Sequence, residues 1–248
     1  MNNKYKNISF FILFFYIIGL SYFQSFSQHW SAYYDMDVWV MYNSSLLSSG
    51  YEQEFRDHPG FTLFFINALV FKIFSFINPN FIFNIDNIIK SNNSNEILSN
   101  LFILLRFINS LFFIFTLLFL YKILRIFDIN RLQSFLGLLI ISCSQTFYQN
   151  LFQLRTEILS VLTFLISFYF LLIFLKKRKN LFNLVLAGIF FSFSMLTSIK
   201  IIFFFGFVVF LIPIIGRLFE IKNNNFIVLN KDRIFFYCFI FYTVLVFF

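Results

Sequence analysis

The stretch that decides the architecture is FTLFFINALVFKIFSFI, Phe61–Ile77. At about 1.5 Å per residue a helix of this length reaches about 25 Å, marginal against the roughly 30 Å of hydrocarbon in a bilayer. It can cross, lie along the surface, or dip in and return. The choice matters because every later loop changes sides with it.

Basic residues arbitrate, since they collect in cytoplasmic loops. With the N-terminus inside and no crossing here, thirteen of the 19 Lys and Arg face the cytoplasm, among them Lys122, Arg125, Arg131 and the Lys176–Lys179 cluster. The remaining six, Arg56, Lys72, Lys90, Arg106, Arg155 and Lys200, lie at or near the outer boundary. If the segment crosses, the inside count drops to seven and the outside count rises to twelve, with KKRK exported. The spacing therefore predicts an interfacial or re-entrant helix over 61–77.

The remainder of the chain is built for lipid. It has 248 residues, 60% hydrophobic and 12% charged, with mean hydropathy +0.81. A soluble domain is about a quarter charged, so a polytopic membrane protein is implied. Spans are expected at about 8–28, 101–121, 132–150, 157–175, 181–199, 201–216 and 234–248. The first follows Lys4 and Lys6 and lacks a small-residue cleavage site, so it reads as an uncleaved membrane helix rather than a signal peptide. The chain ends on FYTVLVFF, which reads as the front piece of something longer. The fold class expected is all-α: a polytopic transmembrane helical bundle forming one module over 1–248. Its first extracytoplasmic loop, 29–100, holds interfacial helices.

The net charge of +8 would suggest nucleic acid in a soluble protein. Here it is cytoplasmic-loop charge beside anionic lipid, and no nucleic-acid partner is expected. The 46 Phe residues look like drift in an AT-rich genome and carry no functional weight. Cys143 and Cys238 lie in apolar runs and read as packing residues, not as a disulfide or metal site.

With that topology Asp35, Asp37, Asp57, His58, Arg155, Glu157 and Lys200 share the outer face. Charged groups at a membrane boundary are costly and often mark function. Asp35 and Asp37 point apart on one helix; placed just before the helix, Asp35 could cap it or face a reaction. Val38, Met41, Tyr42 and Leu46 then form one apolar face, suited to a helix lying on the surface. His58, held extended by Pro59, either projects into a cavity, where it could bind a phosphate or a divalent ion, or is a polar residue at an interfacial turn. Glu157 helps a helix N-terminus in any case, and Arg155 suits bidentate phosphate binding. Arg106 could do the same or snorkel. Lys200 interrupts an apolar run at a cost of about 2.5–3.5 kcal/mol, so something anionic should lie close by, or Lys200 simply marks the boundary between two spans. Scattered carboxylates with one His make no zinc signature; oxygen-ligated Mg²⁺ or Mn²⁺ suits them better.

Four stretches, in order and on one side, resemble the polytopic glycosyltransferases of the GT-C fold class, in particular the aminoarabinose transferases and protein O-mannosyltransferases. They are YYDMDVWVMYNSSLLSSG, RDHPGF, QLRTEILS and AGIFFSFSMLTSIK. The likeness covers nearly the whole chain, as the front half of such an enzyme. It departs in having Asp-Met-Asp where several relatives have Asp-Glu, and Glu157 where many have Asp. The resemblance implies transfer of a sugar from a polyprenyl-phosphate carrier to an extracytoplasmic lipid, glycan or protein, in a bacterial inner membrane. It implies Asp35 as general base, with Glu157 tuning the catalytic constellation. Asp37, Asp57, His58, Arg155 and Lys200 would bind the substrate, and a divalent cation could assist. The rival reading is a transporter or flippase whose path these charges line. Such proteins often show internal symmetry and paired interrupted helices, neither of which is visible here.

Overall fold

The computed structural model describes residues 12–20, 22–23, 27, 29, 34–54, 60–177, 181–198, 200, 219–222 and 225–228. Its first helix, α1, covers 12–20. Then follow α2 (Tyr34–Ser48), α3 (Phe61–Ile77), α4 (Ile85–Lys90), α5 (Ser94–Ile126), α6 (Arg131–Ser142), α7 (Gln145–Phe152), α8 (Thr156–Lys177) and α9 (Leu181–Thr197). One antiparallel hairpin, β1 (Phe219–Lys222) and β2 (Asn225–Val228), pairs Phe219 with Val228 and Lys222 with Asn225. The fold class is all-α; the hairpin, in an Asn-rich stretch of short apolar runs, is the one addition that the spans did not foretell.

Two helices are long and apolar enough to cross a membrane, Ser94–Ile126 and Thr156–Phe174. α9 is shorter, and its exposed side carries Phe182, Val185, Ile189 and Phe193. That is an outward apolar stripe at helical spacing, where a soluble protein would place charge; in a membrane it faces lipid. Its opposite side buries Leu184, Ala187, Phe191 and Met195.

The expected span 132–150 is instead two helices, with a break at Cys143–Ser144. Three hydroxyl or thiol residues in a row loosen the helical ladder there. Ser142 Oγ donates to the Leu139 carbonyl (2.9 Å), and the Ser144 amide turns back to Ile141 (3.0 Å). The expected spans 201–216 and 234–248 lie outside the described residues.

Helix directions follow from side-chain contacts. Near its middle α5 meets the end of α7, just ahead of α8: Asn109 Nδ2 donates to the carbonyls of Asn150, Leu151 and Gln153 at 3.1, 3.2 and 3.1 Å. Further along, Phe119 meets Tyr169 edge-on at 5.5 Å, and Lys122 Nζ sits 4.8 and 5.5 Å from those two rings. So α5 and α8 run parallel, with α6 and α7 returning the chain between them. α9 runs antiparallel to α8, since Ser194 Oγ donates to the Ser160 carbonyl (2.8 Å) and Ser167 Oγ to that of Ala187 (2.7 Å). Small residues at these crossings let the backbones approach.

α3 does not run the length of this bundle. Gly60, just ahead of it, packs on Thr156 at the start of α8. Phe71, in the later part of α3, packs against Phe81 and Phe83 of the connection to α4, with ring centres 6.2 and 6.4 Å away. From there α4 leads directly into α5, and Ile88 of α4 joins Phe71, Leu101 and Phe102 in one core cluster. Both ends of α3 therefore belong to the end of the bundle where α5 and α8 begin, away from Lys122.

α2 is also more enclosed than a helix resting on a surface. Besides Val40, Met41 and Leu46 it buries Asp37, Asn43, Ser44 and Ser45 completely. Two of the polar ones donate within the helix, Asn43 Nδ2 to the Trp39 carbonyl at 2.9 Å and Ser44 Oγ to that of Val40. The apolar face read from spacing alone is thus only part of the buried surface.

Candidate active site

The helix starts at Tyr34, so Asp35 and Asp37 both stand in the first turn of α2. Asp37 goes inward and is fully buried. Its Oδ1 accepts from the Leu154 amide at 2.8 Å. Its Oδ2 accepts from Arg106 Nη2 at 3.2 Å, a contact that is also a buried ion pair. The guanidinium carbon of Arg106 lies 5.7 Å from the centre of the Phe102 ring. Burial pushes the Asp37 carboxyl above its ordinary range, while the Leu154 amide and the Arg106 guanidinium pull it back.

The second pair joins α8 to the residue beyond α9. Lys200 Nζ donates to Glu157 Oε1 at 2.7 Å; the Lys200 side chain is 71% exposed and that of Glu157 29%. The anionic neighbour that Lys200 required is therefore Glu157. Between the two pairs stands Arg155, whose charge acts on both Asp37 and Glu157. Arg155 Nε is buried and has no hydrogen-bond partner, a donor left available for an anion. Beside Glu157 an apolar groove of about 210 Å³ descends between α5, α7 and α8, lined by Phe113, Thr116, Ser144, Asn150, Ile158 and Val161.

The spacing of charge along the helices puts this constellation at a boundary. Arg106 to Arg125 on α5 and Glu157 to Lys176 on α8 each span about 28 Å along the axis, roughly one hydrocarbon thickness. Asp37, Arg106, Arg155, Glu157 and Lys200 thus gather at one end, with Lys122 and Arg125 at the other. Asp57, His58 and the side chain of Asp35 lie outside the described residues. Among the described residues no three His, Cys, Asp or Glu side chains group in a way that could hold a metal ion. Both oxygens of Asp37 already accept from protein donors, so the described residues do not fit a divalent-ion site around it.

Two supports escaped the reading of the sequence. Asn109 closes the end of α7; its signal was its place three residues after Arg106 on the same helix face. Gly60 is the other. A Cβ built there would lie 2.9 Å from Phe64 Cζ and 3.0 Å from Thr156 Cγ2, so only glycine lets the start of α3 approach α8 this closely. Gly60→Ala is expected to cost about 1–3 kcal/mol through overpacking, seen as a lowered thermal midpoint in detergent. An unchanged midpoint would mean that the contact relaxes freely.

The loop after α2 is fastened separately. Tyr42 Oη donates to Glu54 Oε1 and Tyr51 Oη to Asp86 Oδ2, both at 2.8 Å, while the Glu54 amide donates to Asn43 Oδ1 at 3.1 Å. Glu54 and Asp86 are thereby used in holding the loop.

Compared with known proteins, residues 92–246 match the family model described as dolichyl-phosphate-mannose-protein mannosyltransferase. This stretch contains Arg106, Arg155, Glu157 and Lys200 and begins just ahead of α5. No curated protein and no solved structure matches the chain.

Proposed function

Because the chain belongs to the dolichyl-phosphate-mannose-protein mannosyltransferase family, membrane glycosyltransferases that draw on a lipid-linked sugar donor, we propose that it moves a sugar from a polyprenyl phosphate to an acceptor on the extracytoplasmic side of a bacterial inner membrane. One observation carries this reading. Glu157 and Lys200, far apart in sequence, pair at 2.7 Å beside Arg155, at the same end of the bundle as the first turn of α2.

In this reading Asp35 removes the proton from the acceptor hydroxyl or amine as that atom attacks the anomeric carbon. The bond from the anomeric carbon to the carrier phosphate breaks, and its electron pair leaves with the polyprenyl phosphate. A direct displacement of this kind inverts the anomeric centre. Lys200 and the unpaired Nε of Arg155 stabilise the charge on the leaving phosphate. Glu157 orients Lys200, which keeps two further N–H donors free of that pair. Asp57 and His58 complete the donor site, and the apolar groove beside Glu157 suits the first isoprenoid units of the carrier.

The test is release of polyprenyl phosphate from a radiolabelled polyprenyl-phosphate sugar in vesicles containing the protein. Release that depends on acceptor supports transfer; movement of intact donor across the bilayer without release would favour a transporter. In the same assay Lys200→Gln is expected to raise the donor KM about 10-fold or more, the loss of one charge-assisted hydrogen bond. Sidedness has its own check. A reporter fused just past Lys179 should remain cytoplasmic, and its export would split the site between two compartments.

A further inference from the structure

Asp37, standing on α2, bonds at once to α5 and to the connection ahead of α8. Its two oxygens are divided between the two elements: Oδ2 accepts from Arg106 of α5 and Oδ1 from the amide of Leu154, the residue before Arg155. Asp35 precedes it by two residues, about 3 Å along the helix axis. Glu157 follows Leu154 by less than one helical turn. A displacement of this carboxylate would therefore change the separation between Asp35 and the Arg155–Glu157 segment.

We propose that Asp37 and Arg106 are positioning residues: the buried pair fixes the first turn of α2 against the start of α8 and so sets the distance between the proton acceptor and the phosphate-binding groups. The reading of Asp35, Arg155 and Lys200 comes from the proposed function, and the catalytic consequence rests on it. The mechanical part does not. Asp37 touches no substrate in this arrangement, because each of its oxygens is taken by a protein donor and the side chain has no exposed surface. Arg106, 2% exposed, is likewise enclosed. The pair is well suited to the task. A carboxylate held by a permanently charged guanidinium and by a main-chain amide has few alternative placements in a dry interior, whereas an apolar contact of the same area tolerates sliding.

The test uses the full chain with Cys143 and Cys238 replaced by serine and spin labels at Trp39→Cys on α2 and Val161→Cys on α8, both exposed positions. The distance distribution between the labels is measured by pulsed EPR, beside kcat and donor KM for the unlabelled protein. Asp37→Leu/Arg106→Met removes both links and leaves no buried charge. If that variant does not insert and elute as a single species, Asp37→Asn/Arg106→Met keeps an acceptor for the Leu154 amide and removes only the guanidinium link. The expected result is a distribution that broadens or shifts, with kcat reduced at least 100-fold and donor KM within about twofold of the parent. A distribution unchanged from the parent overturns the proposal, as does a changed distribution accompanied by undiminished kcat. If the parent itself releases no polyprenyl phosphate, the proposed function fails by itself. The distance distribution then still decides whether the pair holds α2 against α8.

Discussion

Asp35→Asn abolishes sugar transfer while the protein stays in the membrane at its usual level. The expected loss in kcat is about 10²–10⁴-fold, the typical contribution of a positioned general base. The substitution keeps the size and shape of the side chain and removes only its capacity to take a proton. The standing of α2 does not depend on Asp35, since Asp37 supplies the deep anchor. Thermal stability should therefore change little, and the donor KM should hold, because the proposed phosphate-binding groups are Arg155 and Lys200. Asp35→Glu restores part of the rate, as the base is present but displaced by one methylene. Full turnover in Asp35→Asn would remove the assignment, and with it the reading of the first acidic residue in this loop.

Arg106→Met destabilises the protein by about 3–5 kcal/mol, the cost of leaving a buried charge without its partner. The relevant charge is that of Asp37, whose side chain is fully buried. Some of the loss is relieved if the carboxyl takes a proton, which burial already favours. The Asp37→Asn/Arg106→Met variant should recover most of the stability, since a buried ion pair replaced by neutral groups of similar volume is often no worse than the original. Thermal unfolding in detergent measures both. A single variant as stable as the parent would mean that water reaches the pair. It would also remove the mechanical basis for linking α2 to α8.

These two residues also show where one-dimensional reading stops. Arg106 in an apolar run was bound to find a partner, but its position allowed either a substrate phosphate or the lipid headgroups. Which it found depended on the rotation of α2 about its axis, and that is set by the packing of Val40, Met41 and Leu46 as well as by Asp37. The apolar surroundings of Lys200 called for a nearby anion; the sequence pointed to the leaving phosphate, and the structure places Glu157 2.7 Å away. Asp37 was expected among the substrate-binding groups, yet it spends both oxygens on Arg106 and Leu154.

By itself the sequence determined the solvent and the periodicity. Low charge and long apolar runs require lipid, and the extents of α3, α8 and α9 follow within a few residues from where polar side chains interrupt those runs. These are local properties, fixed by what each segment must hide from water and by the hydrogen bonding of its own backbone. Tertiary structure alone decided the break at Cys143–Ser144, the close approach at Gly60 and the three-way bond at Asp37. Each depends on which helix faces meet. That outcome rests on shape and on satisfying buried polar groups across segments distant in the chain, for which no spacing along a single helix provides a rule.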